Sequence, residues 1–428
     1  MNYEQVLTYL YERLPMFQRQ GKVAFKKDLT NTIALLEALG NPHHRFKSIH
    51  IAGTNGKGSS AHAMASILQA AGYKTGLYTS PHLKSFTERV RINGEEVNQD
   101  YVASFVTRNT ELIEQINPSF FEVTVALSFS YFADQQVDIA VIETGLGGRL
   151  DSTNVITPVL SLITMIGFDH ADMLGDTLEK IAAEKAGIIK PNIPVIIGAD
   201  QPDLQHVFRN KAAQVEAPIQ FATTRVKSVS ESLLEQVFDI KRDQQEDLKS
   251  LKTDITARYF LKNLPGIYES IEVLNRNGFS ISDEQFRIGL SQVKRTTGLK
   301  GRWQILSESP LTIADVSHNE PGLSVLLDQI QAHTSGSLHL IIGMVKDKDV
   351  KKVLQILPPD AHYYFTQSDV PRSLSSEDLQ RMAGEAGVSG GAFKNVNLAI
   401  DEARKNARSS DLILVCGSTF VVAEIEGL

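Results

Sequence analysis

One short stretch near the amino terminus combines small residues with a single lysine, HIAGTNGKGSSAHAMASIL from His50 to Leu68. Its apolar start is typical of a strand, and the Ala, Met, Ile and Leu residues after Ser60 are typical of a helix. The glycines would then form a turn where backbone N–H groups converge on an anion at a helix amino terminus. The loop departs from the usual Walker pattern because Gly58 follows Lys57 and the hydroxyls come later. The pattern predicts phosphate binding; the alternative is a plain strand-to-helix turn with a solvent-facing lysine.

Three other candidate residues follow apolar or helix-like runs later in the chain. Glu143 comes directly after DIAVI, where a carboxylate is costly unless it is paired or binds a cation. His170 follows LSLITMIGFD, and Lys185 precedes the apolar AGII. A surface acid, a structural histidine and a solvated lysine are the ordinary alternatives. Together with Lys57 and the serine of YTSPH, these residues could form a Mg²⁺–nucleotide site, although imidazole is an unusual ligand for magnesium.

The elements that must position these residues alternate along the chain. Short apolar runs that end in Gly, Ser, Thr, Asp or His recur from SIHIAGT to DLILVCGS, with helix-like stretches between many of them. This alternation predicts mainly parallel α/β sheets with sites at the carboxyl ends of the strands. We therefore expect a P-loop-type first domain with a mainly parallel sheet, followed by a smaller Rossmann-like α/β domain.

Two breaks in the alternation bear on domain organisation. The charged segment from Arg225 to Asp254 predicts surface strands and turns without catalytic residues. The basic segment SQVKRTTGLKGRWQIL, from Ser291 to Leu306, lies between a helix-like segment and a new series of strands. It predicts a boundary between a first domain over residues 1–295 and a second over residues 296–428.

Composition limits the class of protein. The chain has 428 residues, 42% of them hydrophobic, and a formal net charge of −7. The length exceeds what one core usually holds, and the charge argues against a protein that coats nucleic acid or anionic lipid. The single cysteine, Cys416, lies in an apolar run and predicts a buried residue in a reducing compartment. With no signal-peptide pattern and no apolar run of membrane-spanning length, the sequence predicts a cytoplasmic protein with a small-molecule partner.

Six segments resemble one family, in the family's order and over nearly the whole chain. They are GTNGKGSSAHAMASILQAAGYKTGLYTSPHLKSFTERVRING, FFEVTVALSFSYFA, VDIAVIETGLGGRLDSTNVI, DHADMLGDTLEKIAAEKAGIIKP, KGRWQIL and DVSHNEPGL. On these residues the chain resembles the folylpolyglutamate synthase/dihydrofolate synthase family, within the Mur ligase superfamily of ATP-dependent amide-bond ligases. The resemblance implies an ATP-binding domain of the Mur ligase type over residues 1–295 and a glutamate-ligase domain over residues 296–428.

Matched position by position, the resemblance implies several groups of functional residues. Those that it assigns to ATP are Thr54, Asn55, Gly56, Lys57, Gly58, Ser59, Asn263, Arg302 and Asp315. Those that it assigns to Mg²⁺ are Ser80, Glu143 and His170. Those on the pterin side are Ser119, Phe121, Leu150, Asp151 and Ser152, with Phe121 as an apolar wall. Those that it assigns to catalysis are Lys57, Lys185 and His318, and Ser418 would touch the incoming glutamate. A monovalent cation such as K⁺ is compatible with the same resemblance.

Lys185 matches the lysine that the superfamily carbamylates into a carboxylate-like metal ligand. The modified side chain would be an anion, and the apolar AGII beside it favours the neutral amine that CO₂ must attack. This match gives a lysine next to a metal site a chemical reason.

Two matched segments depart from the family pattern. Where the family tends to have Gly-x-Tyr-Gln-x-x-Asn, this chain has ARYFLKN from Ala257 to Asn263, which puts the shape of that loop in question. The second-domain motif, commonly Asp-Gly-Ala-His-Asn, is DVSHN from Asp315 to Asn319 and keeps its polar ends.

The resemblance implies ligation of L-glutamate to dihydropteroate, to the terminal glutamate of a folate, or to both, through an acyl phosphate, with release of ADP and phosphate. A cell-wall Mur ligase acting on a UDP-linked peptide precursor is the nearest alternative, and TSPHL and FFEV favour the pterin substrate. A P-loop phosphotransferase or GTPase would want an adjacent Lys-Ser/Thr pair, and a noncatalytic nucleotide-binding regulator is the last alternative. We expect a monomer that binds neither nucleic acid nor membrane.

Overall fold

The structure, a computed structural model, describes residues 1–15, 28–242, 246–346 and 349–428 and divides into two units. The first unit comprises Met1–Lys227, Phe238–Asp254 and Lys262–Gly298, and the second comprises Ser228–Val237, Ile255–Leu261 and Leu299–Leu428. The division lies after Gly298 and places two earlier segments with the second unit. The limits of 1–295 and 296–428 stay a prediction of the domain boundary.

The strands bear out the predicted α/β class. In chain order they are β1 Lys47–Ala52, β2 Thr75–Tyr78, β3 Val90–Ile92, β4 Glu95–Glu96, β5 Ile139–Glu143, β6 Leu160–Ile163, β7 Val195–Ile197, β8 Ile219–Phe221, β9 Arg225–Glu231, β10 Gln236–Lys241, β11 Leu248–Thr253, β12 Gln304–Glu308, β13 Leu311–Ala314, β14 Leu338–Ile342, β15 His362–Thr366, β16 Gly390–Phe393 and β17 Leu412–Cys416.

The α-helices of the described residues lie between many of these strands. In chain order they are α1 Tyr3–Arg13, α2 Thr30–Ala38, α3 Lys57–Ala70, α4 Gln99–Arg108, α5 Thr110–Ile116, α6 Phe120–Asp134, α7 Ala171–Leu174, α8 Leu178–Lys185, α9 Gln205–Gln214, α10 Arg258–Leu261, α11 Leu264–Arg276, α12 Asp283–Ser291, α13 Val293–Thr297, α14 Glu320–His333, α15 Val350–Gln355, α16 Ser376–Glu385, α17 Val396–Asn406 and α18 Thr419–Ala423.

The sheet of the first unit has the order β4-β3-β2-β5-β1-β6-β7-β8. From β2 to β8 the neighbouring strands are parallel, and β3 and β4 add an antiparallel edge. The central strand β1 pairs Ile51 with Glu143 on one side and with Leu162 on the other. Because parallel strands end at one edge of a sheet, the residues that follow β1, β2, β5 and β6 share that edge.

The sheet of the second unit has the order β12-β13-β17-β14-β15-β16. All of its neighbouring strands are parallel except β12, which pairs with β13 in the antiparallel sense. A separate sheet with the order β11-β10-β9 covers the charged segment in which surface strands are predicted. The strands are present, and β9 lies at the surface, but most of β10 is buried. Buried Cys416 ends β17, as expected of an apolar strand residue.

Helix α3, which begins at Lys57, is buried from Ser59 to Leu68. It contacts β2 and β5 on the sheet side and α12 and α13 on the other. A methyl group on Gly289 of α12 would lie 2.5 Å from the Cα atom of Ile67, so this close approach requires a glycine. The carboxyl-terminal part of α3 is therefore packed closely against α12.

Each helix in the described part of the chain is either too short or too polar to cross a lipid bilayer.

Candidate active site

The loop between β1 and α3 depends on glycine at two positions. Gly56 has a φ of 92° and caps α3, and a methyl group there would lie 2.4 Å from Oδ1 of Asn263. A methyl group on Gly53 would lie 1.8 Å from Oγ1 of Thr164, which donates to the carbonyl oxygen of Asn55 (2.9 Å) and also lies 3.2 Å from the carbonyl oxygen of Ala52. Larger residues would therefore force the loop away from the end of β6.

Thr54 fastens the same loop to the segment that follows β6. Its backbone N–H donates to the carbonyl of Met165 (2.8 Å), and its hydroxyl donates to the carbonyl of Gly167 (3.0 Å) while accepting from the N–H of that residue (3.0 Å). Asn55 forms a backbone bridge with Met165. The residues predicted to hold phosphate thus lie alongside the segment that leads to His170.

Lys57 and Lys185 both donate to the carbonyl oxygen of Gly53, at 3.0 Å and 2.8 Å respectively. Lys57 also donates to the carbonyl of Thr54 (3.3 Å), so its amine lies over its own loop. Lys185 is buried, and desolvation together with the charge of Lys57 lowers its pKa to about 7, against the opposing effect of Asp169 and Asp151. Two lysines from segments far apart in the sequence therefore meet at one backbone oxygen.

The carboxylate of Glu143 lies between the ends of two strands and the first turn of α3. It accepts the backbone N–H of Ser80 (3.1 Å), which follows β2, and a methyl group on Gly58 would lie 3.6 Å from its Oε2. The side chain is buried, with 5% of its surface exposed. Glu143 and Ser80 are thus neighbours at the edge where Lys57 begins its helix.

His170 lies in the segment beside the phosphate loop, with a φ of 50°. Oδ1 of Asp169 accepts its backbone N–H (2.9 Å) and lies 3.7 Å from its Nε2. Across the residues that the structure describes, His, Cys, Asp and Glu side chains form no group of three or more that could hold a metal ion. The predicted Mg²⁺ set has two such residues, so it needs the serine hydroxyl and nucleotide phosphate oxygens as further ligands.

The predicted pterin-side residues lie on α6 and on the loop that follows β5. Ser119 caps α6, accepting the N–H of Glu122 (3.3 Å), while the carboxylate of Glu122 accepts the N–H of Ser119 (2.6 Å). The ring of Phe121 leaves no room beside Gly145, where a methyl group would lie 2.4 Å from Cζ, and lies edge-on to Tyr78 at 6.2 Å. These contacts give Phe121 a fixed place against the loop.

Asp151 is buried and accepts the backbone N–H groups of Leu146 (2.8 Å) and Thr153 (3.0 Å). Burial raises its pKa, and these hydrogen bonds oppose that rise. Leu150 is partly exposed next to it, and Ser152 is buried at the start of a short 3₁₀ turn. The carboxylate therefore joins Leu146 and Thr153, on either side of it in the loop, by hydrogen bonds.

In the second unit, the carboxylate of Asp315 is completely buried and accepts four hydrogen bonds. Oδ2 accepts from the hydroxyl of Tyr259 (2.7 Å) and the N–H of Trp303 (2.7 Å), and Oδ1 accepts from the N–H (2.9 Å) and hydroxyl (2.6 Å) of Ser317. A carboxylate has about four lone-pair positions. Asp315 thus joins the start of β12 to the end of β13, a structural role beside the nucleotide contact predicted for it.

The other predicted residues of the second unit make local contacts. Nδ1 of His318 lies 3.0 Å from the carbonyl of Val316, which fixes Nδ1 as the donor because a carbonyl only accepts. Ser418 accepts the N–H of Phe420 (3.1 Å), and Arg302 donates to the carbonyl of Gly301 (3.3 Å). Their functional roles stay predictions.

The departure from the family pattern near Asn263 has a packing explanation. Ala257 and Phe260 are completely buried, and Arg258–Leu261 forms the short helix α10. Ala257 belongs to the core cluster of the second unit and Phe260 is a fully buried apolar ring, while Asn263 in the first unit keeps its place beside Gly56.

Sequence reasoning missed two residues that shape this site, Thr164 and Asp169. Thr164 holds the phosphate loop to β6, and the charge of Asp169 acts on Lys185. Both are polar residues just after the apolar run of β6, and that position at a strand carboxyl end was a usable signal.

Comparisons with known proteins give matches over nearly the whole chain. The family models that match are the Mur ligase middle domain, over residues 51–266, and the Mur ligase glutamate ligase domain, over residues 301–419. The dihydrofolate synthase/folylpolyglutamate synthase of Bacillus subtilis (strain 168) is 31% identical over 435 residues, which cover 99% of this chain and 98% of the relative.

Solved structures match over the same extent. Escherichia coli FolC in complex with DHPP and ADP has a TM-score of 0.84 at 29% identity, covering 99% of this chain and 96% of that chain. A bifunctional folylpolyglutamate synthase/dihydrofolate synthase with Mn, AMPPNP and L-glutamate bound has a TM-score of 0.83 at 29% identity, covering 99% of this chain and 97% of that chain.

Proposed function

Because this chain belongs to the folylpolyglutamate synthase/dihydrofolate synthase family of Mur ligases, which are ATP-dependent ligases, we propose that it joins L-glutamate to dihydropteroate, to the terminal glutamate of a folate, or to both. The observation that supports this most directly is the meeting of Lys57 and Lys185 at the carbonyl of Gly53, in the loop whose next helical turn faces Glu143. This arrangement puts positive charge and a carboxylate at the amino end of one helix, as phosphoryl transfer from a Mg²⁺–nucleotide requires.

The proposed reaction has two steps. A carboxylate oxygen of the pterin or folate substrate attacks the γ-phosphorus of ATP, and ADP leaves. The amine of glutamate then attacks the acyl carbon of the resulting acyl phosphate, the bond to phosphate breaks, and the amine loses a proton as the amide forms. The P-loop backbone and Lys57 stabilise the negative charge that develops on the transferred phosphoryl group.

Ser80, Glu143 and His170 are the residues that would hold Mg²⁺, which would neutralise the phosphate oxygens when bound. The N–H of Ser80 on Oε2 of Glu143 keeps these two residues together without the cation. Carbamylation of Lys185 would add an anionic ligand, and a pKa of about 7 supports it because a substantial fraction of the amine is neutral near physiological pH.

The remaining residues keep the roles that the resemblance implies. We propose that Ser119, Phe121, Leu150, Asp151 and Ser152 line the pterin side, that His318 serves turnover, and that Ser418 contacts glutamate. The chain acts as a monomer in this proposal.

The test is a paired ligation assay. Purified protein receives ATP, Mg²⁺ and radiolabelled glutamate with dihydropteroate in one tube and tetrahydrofolate in the other, and ADP release is measured beside label incorporation. We expect ADP and labelled product to appear together, and only when both the pterin substrate and glutamate are present. ADP release that does not depend on the pterin substrate would refute the proposal.

A matched pair of variants links the activity to the site. Glu143→Gln should abolish ligation because it removes the carboxylate that faces the start of α3, whereas Glu95→Gln changes an exposed glutamate on edge strand β4 and should leave ligation unchanged.

A further inference from the structure

A buried histidine on the central strand lies under the loop that carries the predicted pterin-side residues. His50 has none of its surface exposed and lies in β1 between Ile142 of β5 and Ser161 of β6. Its Nε2 is 2.9 Å from the hydroxyl of Thr153, and its Nδ1 has no hydrogen-bond partner among the described residues. Burying an imidazole with one unpaired nitrogen costs more free energy than burying an aliphatic side chain. The single hydrogen bond of His50 is therefore expected to have a function.

The direction of the hydrogen bonds follows from the chemistry of the groups. The hydroxyl of Thr153 donates to Oδ1 of Asp151. A hydroxyl has one hydrogen to give, so Nε2 of His50 must donate to the oxygen of Thr153 and Nδ1 is the bare nitrogen. Burial and the charge of Lys190 lower the pKa of His50 to about 3, so the ring stays neutral and keeps this one N–H throughout the physiological range.

The carboxylate at the end of this chain of bonds closes the loop. Asp151 accepts the N–H of Leu146 (2.8 Å) on its other oxygen, which ties the two ends of residues 146–151 together. Immediately before that turn, Gly145 packs against the ring of Phe121. The orientation of the Asp151 carboxylate therefore decides where Leu150 and Ser152 lie relative to Phe121.

The far end of the loop is fastened separately. The side-chain amide of Asn154 donates to the carbonyls of Arg149 and Gly187 (3.1 Å each), and Lys190 donates to the carbonyl of Asn154 (2.7 Å). These bonds fix the loop laterally, against the segment that follows Lys185. The contact with His50 reaches it from a side chain of the central strand beneath.

We propose that His50 is a positioning residue for the pterin-side loop, acting through the hydroxyl of Thr153 to orient the carboxylate of Asp151. His50 itself touches no substrate in this proposal. The inference rests on the proposed function for the identity of the substrate, while the bonds that lock the loop do not depend on it.

Four variants test the relay, the chain of hydrogen bonds from His50 through Thr153 to Asp151. His50→Leu removes the ring N–H and Thr153→Val removes the hydroxyl, each with little change in side-chain volume. His50→Gln keeps an N–H donor and Thr153→Ser keeps the hydroxyl, each at about the same distance from the backbone. Ser48→Ala is the matched control, because Ser48 is buried on the same strand two residues earlier. Kinetics with dihydropteroate and with tetrahydrofolate are compared with kinetics for ATP.

We expect His50→Leu and Thr153→Val to raise the KM for the pterin substrate about 5- to 30-fold, the value of one lost hydrogen bond, with the KM for ATP within about twofold. His50→Gln and Thr153→Ser should recover most of the loss, and Ser48→Ala should not change either constant. Equal increases in both KM values would overturn the proposal, because they would mean a general loosening of the sheet. Unchanged kinetics in His50→Leu would overturn it too.

Hydrogen exchange gives a readout that needs no turnover. In His50→Leu, peptides covering residues 144–155 should exchange about 5- to 30-fold faster than in wild type, while peptides from α3 keep their rates. If these loop peptides exchange at the wild-type rate in His50→Leu, the relay is refuted. If the wild-type protein ligates no glutamate, the proposed function fails, and the exchange rates still decide whether His50 holds the loop.

Discussion

Replacing Gly58 with alanine should separate stability from activity, because this glycine lies at the second position of α3 in ordinary helical conformation. Its φ is not positive, and a methyl group would meet only the carboxylate of Glu143, at 3.6 Å from Oε2 and 3.7 Å from Oε1. Both distances are ordinary van der Waals contacts. Alanine is preferred over glycine in helices by about 0.5–1 kcal/mol, so the variant should unfold about 1–3 °C higher.

The same methyl group lies in the space where a cation on Glu143 and the phosphate on the helix terminus would have to fit. Mg²⁺ binds carboxylate oxygens at about 2.1 Å and brings its other ligands with it, so a carbon within van der Waals reach of both oxygens competes with them. Moving a reacting group by about 1 Å can lower the rate about 100-fold, so we expect kcat/KM to fall about 10- to 100-fold.

Two other glycines serve as controls in the same experiments. Gly72 has a φ of 89° with no atom within 4 Å of an added methyl group, so Gly72→Ala should lower the unfolding temperature slightly and leave activity intact. Gly53→Ala places a methyl group 1.8 Å from Oγ1 of Thr164 and should lose both stability and activity. The assays are differential scanning fluorimetry without ligands and initial rates at varied ATP and pterin substrate.

The reasoning fails if Gly58→Ala ligates glutamate at the wild-type rate, because the cation and phosphate could not then lie between α3 and Glu143. It fails in a different way if the variant is destabilised, because the space beside Gly58 would then be smaller than the structure shows.

Three further predictions concern other residues. Lys185→Met should be inactive, and without bicarbonate it should be more stable than wild type near pH 7. Because the pKa of Lys185 is lowered to about 7 in the folded protein, unfolded wild-type chains bind more protons than folded ones between pH 7 and 10.5. Wild-type stability therefore rises over that window, and the difference in urea midpoints between the two proteins should shrink. Equal midpoints at every pH would contradict the burial of a charged amine. Asp315→Asn should lower the free energy of unfolding by about 1–3 kcal/mol, because the amide NH₂ group replaces one carboxylate oxygen and faces either the donors of Tyr259 and Trp303 or those of Ser317. Urea unfolding measures this loss, and full stability with a raised KM for ATP would point instead to a nucleotide contact. Arg302→Ala should lower kcat about 10-fold while its unfolding temperature stays within about 1 °C, because the hydrogen bond that its side chain donates within the described part of the chain goes to the adjacent carbonyl of Gly301. Unchanged kinetics would remove Arg302 from the site.

Local patterns in the sequence determined a large part of this protein. The apolar run before Gly53 and the helix-forming run after Ser60 predicted β1, α3 and the loop between them, and all three are present. The apolar run before Glu143 likewise predicted β5, with its acid at the carboxyl end. Patterns of this kind are legible because strand and helix periodicity, and the backbone freedom of glycine, act within a few neighbouring residues.

Tertiary structure decided which distant residues meet. The apolar AGII beside Lys185 indicated a neutral amine, but nothing near it in the sequence indicates that this amine reaches the carbonyl of Gly53, 132 positions away. The sequence did not distinguish His50 from any other strand residue, because its hydrogen-bond partner Thr153 lies 103 positions further along the chain. Such contacts depend on the order of strands in the sheet, which places β1 between β5 and β6, and that order follows from the packing of the whole domain rather than from any single segment.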